Sequence, residues 1–87
     1  SQHELLMEAE LSCAVNGALG MLRPQFRDVL VLHHVAGLPV EDIARQLKIP
    51  AGTVKTWLSR GRQALWDQLK TTGHVEGEMP RRPREDR

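Results

Sequence analysis

Proline and glycine residues divide the middle of this chain into short segments, and this division limits the fold more than any other feature. Pro24 suits the first turn of a helix, because a residue there donates no hydrogen bond within the helix, and Gly37 is a typical helix end. Pro39 opens a further segment, and Pro50 disfavours a helical conformation in the residue before it. These boundaries predict helices at residues 24–36, 39–48 and about 51–69.

Apolar residues within these segments, and within residues 4–20, recur at steps of three and four, which is the period of an amphipathic helix. No run alternates between polar and apolar residues as a strand does, and no repeat occurs. Beyond residue 70 the sequence is rich in glycine, proline and charge, which is typical of disorder. The predicted fold class is all-α: a small four-helix domain at residues 1–70 with a C-terminal helix-turn-helix, and a disordered tail at residues 71–87.

The length of 87 residues leaves little room for a catalytic centre. A domain of this size buries only about 60% of its unfolded surface, so a deep pocket is not expected. The sequence has no paired carboxylates, no nucleophile with a base and no phosphate loop, and its four histidines and single cysteine lack metal-ligand spacing. We expect no enzymatic activity, no cofactor and no metal, and we expect Cys13 to be a buried, small apolar side chain of the first helix.

No stretch approaches the roughly 18 consecutive apolar residues of a membrane span, and no signal peptide opens the chain. These features predict a soluble, cytoplasmic protein. The chain begins with Ser1 rather than Met, which predicts a fragment of a longer protein.

Basic residues are concentrated in the middle of the chain. Residues 23–70 carry eight Lys or Arg against four acidic residues. Residues 1–22 carry three glutamates and no Lys or Arg, and the charges of residues 71–87 balance. The overall net charge of +1 hides this division, which predicts that a polyanion meets the middle segment.

The last predicted helix has an apolar side and a polar side. At about 100° per residue, one side collects Val54, Leu58, Gly61, Leu65 and Leu69. The opposite side carries Thr56, Ser59, Arg60 and Gln63, flanked by Lys55 and Arg62. Arg can donate two hydrogen bonds to guanine, Gln pairs with adenine and Lys reaches phosphate, so these residues suit a reader of the major groove. An ordinary solvated face is the alternative, although such faces usually mix charges and this one has no acidic residue before Asp67.

Three pieces of sequence carry a family resemblance. The first is Leu22-x-Pro24-x-x-Arg27-x-Val29-Leu30. The second is Gly37-Leu38 with Glu41-x-Ile43-Ala44. The third is Gly52-Thr53-Val54-Lys55-Thr56 with Arg60-x-Arg62. Together they make residues 22–65 similar to region 4 of bacterial extracytoplasmic-function (ECF) sigma factors, the domain that recognises the −35 promoter element.

The resemblance implies which side chains meet double-stranded promoter DNA. The residues expected to contact bases are Lys55, Thr56, Ser59 and Arg60, and Gln63 joins them from its place on the polar side. Among these, Arg60 is the candidate for guanine. The residues expected to hold the DNA backbone are Arg27, Thr53 and the flanking Arg62.

The resemblance also implies protein partners for the apolar second helix. Family members present an apolar groove, formed by their first two helices, to the flap of the β subunit of the RNA polymerase core. For this chain Val31, Leu32 and Val35 are the residues expected to contact the polymerase or an anti-sigma factor. The alternative is that this helix is simply central to the packing of four helices.

Four positions depart from the family pattern. Trp57 stands where a basic residue is usual, and we expect it either to stack on the sugar-phosphate surface or to pack on a neighbouring helix. Lys48 stands in the turn where Gly is usual, which costs stability if a left-handed backbone is required there. Pro39 and Pro50 stand where Ser is frequent, so side-chain N-caps are not expected.

Two other functions share parts of this pattern. The DNA-binding domain of LuxR-type regulators has the "GTVKT" core and a four-helix layout, but the Arg60-x-Arg62-x-x-Leu65 ending and the "RPQFRDVLVL" helix favour a sigma factor. The other is a protein-interaction module, in which the acidic first helix and the apolar second helix bind polymerase or an anti-sigma factor and DNA contact is secondary.

Overall fold

Four α-helices form the described part of the chain, which in this computed structural model is residues 2–80, with side chains from residue 11 onward. The helices are α1 (Gln2–Gly20), α2 (Pro24–Leu30), α3 (Val40–Leu47) and α4 (Ala51–Thr71). No strand occurs within residues 2–80. The prediction of a small all-α, four-helix domain is therefore confirmed.

The second helix differs from the prediction of a single helix at residues 24–36. Its α-helical part ends at Leu30, and residues Val31–Val35 form a π-helical turn. In this wider turn the Ala36 amide donates to the Val31 carbonyl at 3.0 Å. Gly37 then takes a positive φ of 77°, and the chain reverses towards α3. The sequence located the end of the segment correctly but not the change of winding, because single π-helical turns have no periodicity of their own.

The core is built where α2 and α3 pack against the N-terminal half of α4. Three of its side chains are fully buried, namely Val29, Ile43 and Val54. Leu22, Leu30, Ala44 and Leu58 complete the buried cluster around them. The apolar side predicted for α4 is confirmed, because Val54, Leu58, Gly61 and Leu69 are buried and Leu65 is half-buried.

The crossing of α2 and α4 depends on a residue without a side chain. A Cβ atom on Gly61 would lie 3.1 Å from Leu30 Cδ1 and 3.3 Å from Phe26 Cβ. Carbon atoms pack at about 3.5–4.0 Å, so the two helices are as close as a glycine allows. Because Phe26 Cβ is attached directly to the backbone, it can move only if α2 moves.

The turn between α3 and α4 has left-handed backbone at Lys48, with φ 61° and ψ 45°. This conformation lets the Ile49 amide donate to the Ala44 carbonyl at 3.0 Å, which ends α3. The helices on either side begin at Pro39 and Pro50 as N-caps, and neither makes a side-chain capping bond. Both departures from the family pattern therefore have the predicted structural form, and Lys48 carries the backbone strain that Gly would avoid.

The first helix packs on α4. It lies against α4 through Ala18, which is buried, and Leu19, which contacts the core. Cys13 is exposed, so the prediction that it is buried is wrong. Leu11 is also 49% exposed. The periodic pattern of this helix does not distinguish the side that meets α4 from the side that meets solvent.

The chain turns back after α4. Gly73 has a positive φ of 81°, and the His74 amide donates to the Leu69 carbonyl at 2.8 Å. The indole Nε1 of Trp66 donates to the Gly77 carbonyl at 2.9 Å, which holds this segment against the helix. Residues 72–80 contain no helix. Residues 81–87 lie outside the described part, so the disordered tail stays a prediction.

Replacing Lys48 with glycine should stabilise the domain. A left-handed backbone conformation costs a residue with a side chain about 1–2 kcal/mol. Glycine avoids this cost but reduces stability by about 0.5–1 kcal/mol, because its unfolded state has more conformational freedom. We therefore expect Lys48→Gly to raise the free energy of unfolding by about 1 kcal/mol. Thermal or urea unfolding followed by circular dichroism measures the change. Lys48→Ala keeps the strain and removes the charge, and an equal gain in that control would contradict this explanation.

Replacing Gly61 with alanine should give a less stable domain than the same substitution at a helical glycine with free space around it. At Gly17 no described atom lies within 4 Å of where a Cβ would stand, so Gly17→Ala should stabilise by up to about 1 kcal/mol. At Gly61 the same gain is opposed by overpacking, which typically costs about 1–3 kcal/mol. We expect Gly61→Ala to unfold at a lower temperature than Gly17→Ala. Equal melting temperatures would show that α2 and α4 can separate freely.

Candidate nucleic-acid interface

The site consists of α3, the turn at residues 48–50, and the N-terminal half of α4. Helix α4 is held from behind, since Val54 is fully buried and Leu58 is 4% exposed. Ala44 of α3 is also buried, as expected for a small residue where two helices cross closely. This packing fixes the rotation of α4 about its axis and therefore decides which of its residues face away from the domain.

The face of α4 opposite the core carries the five residues predicted to contact bases. All five are exposed: Lys55, Thr56, Ser59, Arg60 and Gln63. They occupy three successive turns, and no acidic residue of α4 lies among them. The structure thus brings the predicted set together on one surface, which we call the α4 polar face.

Gln63 has an internal partner at the end of the α4 polar face. Its Nε2 donates to Asp67 Oδ1 at 3.0 Å, one helical turn further on. The carboxylate holds one of the two amide hydrogens of Gln63 and leaves the side-chain carbonyl available. From the sequence, Asp67 was identified only as the first acidic residue of this helix, and its hydrogen bond with Gln63 was not predicted. The i,i+4 spacing of the two residues is the signal for that bond.

The three residues predicted to hold the DNA backbone do not share one surface. Thr53 is half-buried in the first turn of α4. Arg27 is half-buried on α2, and its Nε lies 3.7 Å from Asp28 Oδ1. Arg62 lies on the other edge of α4, where it lines an apolar cavity with residues of α1 and of the π-helical turn. Arg27 lies on α2 and Thr53 at the start of α4, whereas Arg62 is on the side of α4 that lines the cavity.

That cavity, which we call the apolar groove, has a volume of about 250 Å³. It is lined by Val15, Leu19, Leu30, Val31, His34, Val35, Arg62 and Leu65. Two of the residues predicted to contact a protein partner lie in it, and they are 37% (Val31) and 76% (Val35) exposed. The third, Leu32, is half-buried, packs against the core and does not line the groove. Val15 and Leu19 were not predicted to line this groove. Their spacing of four residues, which puts both on one side of α1, is the available signal.

Trp57 lies beside the α4 polar face and is half-buried. Its side chain packs against the core cluster of α2, α3 and α4. Of the two roles expected for Trp57, packing on neighbouring helices is therefore confirmed. The indole ring also keeps part of its surface open to solvent.

Two negative findings apply to the described residues. No group of three or more His, Cys, Asp or Glu side chains within them is placed to hold a metal ion. No helix that the structure describes combines the length and apolar character needed to cross a membrane.

A helix-turn-helix whose second helix is packed from behind and exposes Arg, Lys, Gln and hydroxyl side chains is the architecture of DNA-binding transcription proteins. Residues 14–65 match the family described as "Sigma-70, region 4". The match covers more than half of the chain, and the chain belongs to this family. Proteins of this family act in transcription and are not enzymes, in agreement with the prediction from the sequence.

Three relatives of this chain are named as RNA polymerase sigma factors. The chain is 37% identical over 67 residues to the ECF RNA polymerase sigma factor SigW of Bacillus subtilis, and the match covers 77% of this chain and 36% of SigW. It is 36% identical over 66 residues to the ECF RNA polymerase sigma factor SigE of Mycolicibacterium smegmatis, covering 76% and 26%. It is 31% identical over 65 residues to the RNA polymerase sigma-H factor of Pseudomonas aeruginosa, covering 75% and 34%. The chain thus spans about a third of the length of these relatives or less, and its resemblance to region 4 of ECF sigma factors is confirmed.

Proposed function

We propose that this chain recognises the −35 element of promoters as region 4 of an ECF sigma factor. In this proposal α4 lies in the major groove, and transcription starts at the promoters that it selects. The observation that supports the proposal is the α4 polar face: a region 4 family member exposes five Lys, Arg, Gln, Thr and Ser side chains on the side of α4 opposite a fully buried Val54.

Base reading falls to the α4 polar face in this proposal. The guanidinium of Arg60 donates two hydrogen bonds to one guanine, while Thr56 and Ser59 adapt to neighbouring bases. Lys55 adds a charged donor near the start of the helix. Gln63 can accept from a base through its carbonyl oxygen while its amide remains bonded to Asp67.

Backbone contacts position the domain on the duplex. Arg27 and Thr53 lie on α2 and at the start of α4, so they are suited to phosphates on either side of the bases that α4 reads. Arg62 was predicted to join them. Its place in the apolar groove favours a long side chain that crosses apolar surface before its charge reaches a partner or phosphate.

The apolar groove supports a second part of the proposal, in which the chain docks on the RNA polymerase core through the flap of the β subunit. Val35 is 76% exposed and Val31 is 37% exposed. Among residues 11–80 most other large apolar side chains are buried or half-buried, so these two valines leave an apolar surface open, and such surfaces mark protein contacts. An apolar partner helix in the groove is the matching recognition mode.

An anti-sigma factor is the second candidate partner of the same groove. Its binding there would exclude the polymerase flap, so the sigma factor would be held inactive without any change in the α4 polar face. The groove, which lies between α1, the π-helical turn and α4, is the observation that favours it.

Selection from a random DNA library by the folded chain tests the main proposal. We expect one asymmetric motif of the −35 type to be enriched, because a single α4 reads one groove. A LuxR-type regulator would instead select a palindrome. Absence of any enriched motif would contradict sequence-specific recognition.

Arg60→Ala should weaken binding to the selected duplex by about 1–3 kcal/mol and relax the preference at one base pair. Arg27→Ala is the contrasting variant: it should weaken binding to all duplexes alike and lower the salt slope by about one phosphate. Fluorescence anisotropy across a salt series measures both. An unchanged base preference in Arg60→Ala would remove Arg60 from the base-reading set.

Val35→Glu should weaken docking on purified RNA polymerase core at least about tenfold, because burial of an apolar side chain of this size contributes about 1.5–3 kcal/mol. Met21→Glu is the matched control, since Met21 is 71% exposed and lies outside the groove. Binding of a labelled chain to core enzyme gives both affinities, and binding to DNA alone should not change. Equal affinities of the two variants for core would contradict docking at the groove.

A further inference from the structure

The two tryptophans of α4 differ in what their indole N–H groups do. Trp66 donates its N–H to the Gly77 carbonyl at 2.9 Å. Trp57 donates to no residue that the structure describes. Within the described residues, every buried polar side-chain atom has a hydrogen-bond partner. Because Trp57 Nε1 has no such partner, this atom is not buried and is open to solvent. An indole N–H can only donate, so Trp57 keeps one fixed, unused donor.

The position of that donor is set by packing. Trp57 is half-buried, and its ring packs against the core cluster. The ring is therefore held before any ligand arrives. Little rotamer freedom is lost when a pre-packed ring makes a further contact, in contrast to an exposed Lys or Arg.

Trp57 also lies in line with two residues that are proposed above to contact DNA. Thr53 is four residues before it and Arg60 is three residues after it, which puts all three on one strip of the helix surface. Thr53 is a candidate for the backbone and Arg60 for a base. When α4 lies in the major groove, the strip between them runs from phosphates at the groove edge towards the base pairs.

We propose that Trp57 is a phosphate contact: its indole N–H donates a hydrogen bond to a non-bridging phosphate oxygen of the promoter backbone and so fixes the angle at which α4 enters the groove. This inference rests on the proposed binding of promoter DNA. Phosphate is the favoured acceptor, because the donor sits at the edge of the α4 polar face and not at its centre, where base edges are met. Trp57 is thus a direct contact to the DNA backbone and carries no base preference of its own.

A neutral donor differs from a basic one in a measurable way. Lys or Arg at a phosphate releases a counterion, so its removal lowers the dependence of binding on salt. The indole carries no charge. Removal of its N–H should therefore lower affinity by the same factor at every salt concentration, and by the same factor for every sequence.

The test compares Trp57→Phe with Trp66→Phe in the full chain. Phenylalanine keeps an aromatic ring in the packing and removes only the N–H and part of the ring. We expect Trp57→Phe to weaken binding to the selected duplex and to an unrelated duplex by about three- to tenfold, the range of a typical net hydrogen bond, with an unchanged salt slope. Trp66→Phe should bind DNA as the unchanged chain does.

A methylphosphonate scan identifies the phosphate. Each methylphosphonate removes one phosphate charge and acceptor from the duplex. At one position the substitution should weaken the unchanged chain and have a clearly smaller effect on Trp57→Phe, because that variant has already lost the contact. Additive effects at every position, or a loss in Trp57→Phe confined to one base pair, would overturn the phosphate contact.

Tryptophan fluorescence is a second readout, and it does not require a change at Trp57 or in its packing. In Trp66→Phe the only tryptophan is Trp57, and its fluorescence should change on addition of duplex and saturate with the binding curve. No change in emission, together with unchanged affinity of Trp57→Phe, would overturn the inference. If Arg60→Ala and Arg27→Ala still weaken binding in that case, the proposed function stands without Trp57; if none of these variants affects binding, the proposed function itself fails.

Discussion

The contact between α2 and α4 at Gly61 is the constraint on which the rest of the domain depends. Leu30 and Phe26 lie so close to Gly61 that a Cβ atom there would crowd both side chains, so α2 and α4 pack closely at this point. That position closes the core over Val29, Ile43 and Val54, and it fixes the rotation of α4. The exposed side of α4 and the apolar groove beside α2 are both consequences of one tight crossing.

This arrangement gives a small domain two surfaces that do not compete. The α4 polar face points away from the core, and the apolar groove opens between α1, the π-helical turn and the other edge of α4. The proposed binding of DNA and of a protein at the same time requires such a separation. Arg62 lines the groove, whereas Arg60 and Gln63 are exposed on the α4 polar face, so Arg62 marks the boundary between the two surfaces.

Much of this organisation could be predicted from the sequence, and the failures share a cause. Proline and glycine positions gave the helix boundaries, and the period of the apolar residues gave the buried side of α4, because both are local properties. The π-helical turn, the exposure of Cys13 and the place of Arg62 depend on which helices pack where, and a single helical period does not contain that information. The candidate site was predicted residue by residue on α4, whereas the resemblance implied a contribution of the first helix to the groove without naming its residues, which the packing identifies as Val15 and Leu19.

Under the proposed function, the hydrogen bond from Gln63 to Asp67 has a consequence for the base pair opposite Gln63. A base that accepts a hydrogen bond from the side-chain amide of Gln63 competes with the Asp67 carboxylate, which accepts from the same amide. A guanine opposite Arg60 has no such competing acceptor within the described helix. We expect natural target sites to be strict opposite Arg60 and permissive opposite Gln63. Under the proposed function, promoters then differ in strength through the permissive position and are still recognised through Arg60.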